Sequence, residues 1–127
     1  GPRDAQMQVA RVCYNHLAGA KGVQMYRSMT ARGLLLETGE DVSLTAQGSD
    51  FVLEFGIDLD ALKAGRTRLC RTCLDWSERR NHLAGSLGRA LLGRMEELGW
   101  RQRAPSSRVI QITPKGQVAF DAAFAPI

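Results

Sequence analysis

An internal repeat constrains this chain more than any other feature of its sequence. His16-Leu17-Ala18-Gly19 returns as His82-Leu83-Ala84-Gly85, a shift of 66 residues. At that shift Gly22 answers to Gly88, Met29 to Met95 and Gly33 to Gly99, so seven of the eighteen positions from 16 to 33 are identical. Downstream, Leu44-Thr45-Ala46-Gln47-Gly48 is met by Ile112-Thr113-Pro114-Lys115-Gly116 at a shift of 68, and upstream Arg11-Val12-Cys13 is met by Arg71-Thr72-Cys73 at a shift of 60. The changes of shift mark two insertions. One lengthens a turn by two residues; the other adds six between Cys73 and His82, inside Leu74-Asp75-Trp76-Ser77-Glu78-Arg79-Arg80-Asn81. Whatever one copy folds into, the other must fold into as well.

Each copy reads as the same run of elements. Met7, Ala10, Cys13, Tyr14 and Leu17 recur at helical spacing and predict a helix ending at Ala18-Gly19. A second helix follows from about Lys21 to Arg32 and stops at Gly33. The apolar period then shortens: residues 34–37 and 42–44 flank Thr38-Gly39-Glu40-Asp41 and predict a β-hairpin. Thr45 caps a helix carrying Phe51, Val52 and Phe55 and ending at Gly56. In the second copy Leu83, Leu87, Leu91, Met95 and Leu98 make one stripe closed by Gly99. Residues 100–103 and 109–112 pair around Pro105-Ser106-Ser107, and Thr113-Pro114 opens the last helix. The expectation is an α+β, mostly α fold of two tandem degenerate winged-helix-like repeats (helix-helix-β-hairpin-helix), at residues 3–57 and 70–127. A short helical linker capped by Asp58 joins them across 58–69, and Gly1-Pro2 reads as the remnant of a protease site.

With 127 residues, 44% hydrophobic and 24% charged, the chain has the composition of an ordinary globular protein that needs neither metal nor disulfides to form a core. No apolar run approaches the roughly 18 residues of a membrane span, no stretch shows the pattern of a signal peptide, and three cysteines do not make a secreted disulfide framework. A cytoplasmic location is expected. Charge is uneven: residues 1–60 hold five basic and eight acidic groups, residues 61–127 twelve and five. Contact with nucleic acid by the chain itself therefore belongs to its second half.

The strings Cys13-Tyr14-Asn15-His16-Leu17-Ala18-Gly19 and Cys73-Leu74-Asp75-Trp76-Ser77-Glu78-Arg79-Arg80-Asn81-His82-Leu83-Ala84-Gly85 resemble the C-terminal half of a long subgroup of ArsR-type transcriptional regulators. Asn15 stands where that subgroup usually has Asp, and Cys70 lies outside its pattern. The resemblance implies a regulatory, effector-sensing region that controls DNA binding by an N-terminal winged-helix domain not contained in this chain. It further implies a repressor, a homodimer, and contact with DNA through the full-length protein; from the lack of an apolar span, no membrane partner is expected. The effector is an unknown small molecule.

Four constellations carry the candidate chemistry. Cys13, Cys70 and Cys73, in the spacings Cys13-x2-His16 and Cys70-x2-Cys73, place a sulfur three residues from an imidazole or from a second sulfur on a helix face, a donor set suited to zinc or redox chemistry; the competing reading makes the cysteines on apolar stripes small core residues. His16 and His82 open equivalent turns, where a ring either senses a ligand or bonds a backbone carbonyl. In the insertion, Trp76 offers a flat face and Arg79 and Arg80 planar donors, with Asp75 and Glu78 as acids to position them, so an effector seated between the repeats near Tyr14, Trp76 and Arg80 is one reading and a salt-bridge patch the other. The wing residues Arg101, Arg103 and Arg108 support an auxiliary nucleic-acid-binding function. There is no phosphate loop, nucleophile elbow or carboxylate pair beside a histidine, so no catalytic residue and no enzyme is expected.

Overall fold

The computed structural model describes residues 5–103 and 107–127. Gly1-Pro2, the Pro105-Ser106 part of the second wing turn and the side chain of Arg103, all named above, lie outside the described residues. The first repeat consists of α1 (Ala5–Val9), a hairpin of β1 (Arg11–Cys13) and β2 (His16–Ala18), α2 (Gly19–Ala31), a wing of β3 (Leu35–Thr38) and β4 (Asp41–Leu44), and α3 (Ala46–Glu54). Linker helix α4 (Leu59–Ala64) leads to β5 (Arg71–Asp75), β6 (Arg80–Ala84), α5 (Gly85–Glu97), β7 (Arg101–Arg103), β8 (Ile110–Ile112) and α6 (Pro114–Ala123). The four sheets are antiparallel pairs. The fold is α+β, mostly helical and winged-helix-like, as the periodicity predicts.

One element differs in kind. The stripe from Met7 to Leu17 is not a helix: α1 ends at Val9, and residues 11–18 form a hairpin, as do residues 71–84 of the second copy. The division between buried strands and an exposed turn explains it. Val12, Leu17 and Ala18 are buried while Tyr14 and Asn15 sit at the tip, and a hairpin accounts for that division as well as a helix does. Tyr14 adopts φ 59°, the left-handed conformation such a tight turn requires. Gly19 and Gly85 open α2 and α5 rather than closing an earlier helix. Both have positive φ, and a Cβ on either would strike backbone carbonyls of the preceding segment, 2.8 Å from Gln8 O and 2.6 Å from Leu69 O.

The caps follow the sequence. Thr45 Oγ1 accepts from Gly48 N at 3.0 Å, Asp58 Oδ1 from Ala61 N at 3.1 Å and Thr113 Oγ1 from Gly116 N at 2.9 Å, and Pro114 occupies the first turn of α6.

The two repeats are interleaved. Helix α2 packs on β6 of the other copy and α5 packs on β2, so each helix lies over its partner's hairpin. Val12 N donates to Arg108 O at 2.8 Å and Ile110 N to Ala10 O at 3.1 Å, which aligns the first hairpin with the second wing. Gln24 Nε2 donates to Asp121 Oδ1 and to Phe124 O on the α6 side, and Arg94 Nε donates to Phe55 O after α3. Leu17, Met25, Met29 and Val52 bury with Leu83, Leu87, Leu91, Phe120 and Phe124 in one shared core. At about 1.5–3 kcal/mol for each fully buried apolar side chain, that core is the source of stability, and polar groups at its centre need another explanation.

Candidate functional site

The approximate two-fold relation between the copies brings their two histidines face to face. His16 Nε2 lies 2.9 Å from His82 Nε2, with ring centroids 4.8 Å apart, and both side chains are buried. Each stands directly across its hairpin from a cysteine, His16 opposite Cys13 and His82 opposite Cys73. Cross-strand neighbours project on one face with Cβ atoms about 5 Å apart. Two hairpins facing each other therefore collect two cysteines and two histidines at one point. The four donor atoms lie within 4.8 Å of one another.

Behind His82 stands Asp75, fully buried and two residues beyond Cys73 on the same strand face. Its Oδ2 accepts from His82 Nδ1 at 3.0 Å and from Gly19 N, the first residue of α2, at 2.6 Å. Its Oδ1 accepts from Ser77 N at 3.1 Å, Ser77 Oγ at 2.7 Å, Glu78 N at 3.1 Å and Arg11 Nη2 at 3.3 Å. Arg11 is itself 4% exposed and also donates to Met7 O and Ser77 Oγ. Burial alone would raise the Asp75 carboxyl, but the hydrogen bonds from Ser77, Gly19 and Glu78 and the Arg11 charge prevail and hold it well below the usual carboxylate range. An ionised Asp75 fixes the proton of His82 on Nδ1. The His82 Nε2 lone pair then points at His16, which donates from its own Nε2; this tautomer is assigned from the network.

Burial and the neighbouring His82 push His16 down to about 4, and burial lowers His82 against the opposing pull of Asp75. Both rings are neutral at pH 7. An unfolded histidine titrates near 6.5, so folding excludes a proton that the unfolded chain accepts as pH falls below that value. In the presence of a chelator, the thermal midpoint is expected to be level above pH 6.5 and to drop between pH 6.5 and 4. The drop should be smaller in His16→Gln, and an equal drop in that variant would remove His16 as its cause. Burial, with the adjacent Cys13, pushes the Cys73 thiol up to about 11.

The residues singled out from sequence are divided by the structure. Cys13, Cys73, His16 and His82 come together. Cys70 does not join them: it is 4% exposed, pushed up to about 11 chiefly by burial, and lines a polar cleft of about 520 Å³ with Glu37, Asp41 and Arg68. Tyr14 is 92% and Trp76 66% exposed, and Arg79 and Arg80 are exposed on the turn and strand that follow. Arg80 borders a smaller cleft of about 230 Å³ with Arg27 and Glu78. In the second wing Arg101 is buried and paired to Glu96 at 3.1 Å, whereas Arg108 is exposed. Arg11 is not among the residues singled out from sequence, and Asp75 enters there only as an acid positioning the arginines of the insertion. Asp75-x-Ser77 is the pattern of an Asp that bonds its own chain two residues on, a signal present in the sequence.

No family model matches the chain, and no solved structure matches it. Among curated proteins, the chain is similar to the uncharacterized HTH-type transcriptional regulator YdfF of Bacillus subtilis (strain 168), 44% identical over 115 residues. The match takes in 91% of this chain and 51% of that protein, so the chain spans about half the length of the curated relative it matches. No helix among the described residues is long and apolar enough to cross a membrane.

Proposed function

We propose that this chain is the regulatory part of an HTH-type transcriptional regulator of the ArsR type, in which an effector acts where the two repeats meet. The observation that carries the reading is the buried polar seam of Arg11, Asp75, His16 and His82 between the copies. Such a seam adds little net stability compared with an apolar one, because desolvation offsets most of the attraction. It does make the packing of the halves sensitive to a charge or ligand placed there. The relative is named a transcriptional regulator and is about twice as long as the matched stretch, which leaves room for a DNA-binding part. Movement of one repeat against the other then alters the setting of the attached DNA-binding domains, to the extent that the effector prefers one packing.

The test uses the longer protein and duplex DNA from the region upstream of its own gene, with affinity read by fluorescence anisotropy. The double variant His16→Leu, His82→Leu replaces the polar contact with an apolar one. If it folds and its DNA affinity shifts by about fivefold or more, the seam is coupled to DNA binding. Unchanged affinity in the folded variant overturns the reading. So does strong, salt-dependent DNA binding by this chain alone, which would favour a direct role for its basic second half.

A further inference from the structure

We infer that Cys13, His16, Cys73 and His82 form a binding site for a single thiophilic divalent cation of the zinc type, one Cys-His pair from each repeat, and that this ion is the effector at the seam. The site stands on its own geometry; its role as effector rests on the regulatory reading above.

The donor set is two sulfurs and two imidazoles, a combination that zinc takes in tetrahedral structural sites. Zn–N bonds of about 2.0–2.1 Å and Zn–S bonds of about 2.3 Å make the edges of such a tetrahedron roughly 3.3–3.8 Å. The four donor atoms already fall within 4.8 Å of one another. The 2.9 Å separation of the two Nε2 atoms needs to open by only a few tenths of an ångström. His82 Nε2 is free to ligate as it stands, and His16 Nε2 becomes so when its proton moves to Nδ1; binding also releases the protons of the two thiols. His82 uses Nδ1 on the Asp75 carboxylate and so presents Nε2, the carboxylate–histidine arrangement that orients a metal-bound imidazole and raises its basicity. Cys13 and Cys73 are both only partly buried, so the cluster is open to solvent on the sulfur side.

The ligands also tie the ion to the packing of the repeats. Each hairpin offers only a pair of donors, so the four-coordinate site exists only while both hairpins hold one relative position. Binding therefore selects that position, which is how a small ion would bias DNA binding.

The experiment begins with the reduced chain, stripped by a chelator and titrated with zinc or cobalt(II). One ion per chain is expected, and the cobalt form should show a thiolate-to-metal charge-transfer band together with visible bands of tetrahedral intensity. Cys70→Ser should keep both. Cys13→Ser and Cys73→Ser, on opposite hairpins, should each lose the charge-transfer intensity of one thiolate and weaken binding by more than the roughly hundredfold expected for loss of an outer-shell partner. The absence of saturable binding overturns the site, as does an unaltered cobalt spectrum in a folded Cys13→Ser or Cys73→Ser variant. Isolation of Cys13 and Cys73 as a disulfide whose reduced form does not retain zinc also overturns it. The effector role is decided separately, with the longer protein and its upstream DNA: a change in affinity on adding zinc, absent in Cys73→Ser, supports it, and stoichiometric zinc with no change in affinity overturns it while leaving the site in place.

Discussion

Asp75→Ala is expected to remove about 3–5 kcal/mol of folding stability, a large share of the roughly 5–15 kcal/mol that a folded domain possesses. The reason lies in what is left behind. Arg11, 4% exposed, loses the carboxylate 3.3 Å from its guanidinium and becomes a buried charge without a counter-ion. Gly19 N loses the carboxylate oxygen that meets the N-terminal end of α2, where negative charge is favoured by the helix dipole. His82 Nδ1 and the turn amides of Ser77 and Glu78 lose their acceptor as well. Asp75→Asn is not a rescue, because an amide nitrogen at the Oδ2 position would face the Gly19 and His82 donors. Removing the stranded cation should help: Arg11→Met together with Asp75→Ala is expected to cost less than the two changes added. The measurement is urea unfolding of the reduced chain in a chelator, and a loss below about 1 kcal/mol for Asp75→Ala would show that the network is not needed for the fold. Acid should reproduce part of the effect. Folding depresses the Asp75 pKa, so its contribution is present above the unfolded carboxylate value near 3.8 and is lost as pH falls below it.

Much of this architecture was legible because the chain states its unit twice. Thr45 and Thr113, Gly33 and Gly99, and the wing strands are set by local chemistry, and the structure places them where capping and turn preferences put them. The first hairpin of each repeat was not legible as such. Apolar residues at Ala10, Cys13 and Leu17 satisfy a helical period as well as they satisfy a strand pair, and only the turn at Tyr14-Asn15 decides between them. That single misreading changes the candidate site. On a helix, Cys70 and Cys73 would share a face. On a strand, Cys73 instead faces His82, while Cys70, outside the hairpin, sits in a different cleft.

The six-residue insertion carries its meaning in the same way. It adds the register pairs Leu74–Asn81 and Asp75–Arg80 beyond the Cys73–His82 pair, and so extends one hairpin until Asp75 reaches across to α2 of the other repeat. The sequence marks the insertion as asymmetric but says nothing of that reach, because the contact depends on interleaved packing. Trp76, the most conspicuous residue of the insertion, is on the surface, and the least conspicuous acid is at the centre.

The same substitution at two glycines of α5 should have opposite effects. At Gly93 a Cβ would meet nothing within 4 Å, and the position is exposed in the helix interior. Gly93→Ala should therefore stabilise the chain by about 0.5–1 kcal/mol, through reduced freedom of the unfolded backbone and better helix propensity. At Gly88, on the face turned to the other repeat, a Cβ would lie 2.7 Å from Leu83 O, 3.2 Å from Leu83 C and 3.3 Å from His16 Cβ. The first two are backbone atoms and cannot swing aside. Relief requires α5 to lift from β6, at a cost of about 3 kcal/mol, the upper part of the range for overpacked cores. Gly22, its counterpart in α2, would meet Leu17 O at 2.5 Å and His82 Cβ at 3.3 Å, so Gly22→Ala should behave as Gly88→Ala does. Because both changes press on the same pair of histidines, each is also expected to weaken cobalt binding, whereas Gly93→Ala leaves it as it was. Thermal melts and cobalt titrations of the three single variants check both halves of the expectation; a stabilising Gly88→Ala would mean that the two hairpins are not held as close as the seam requires.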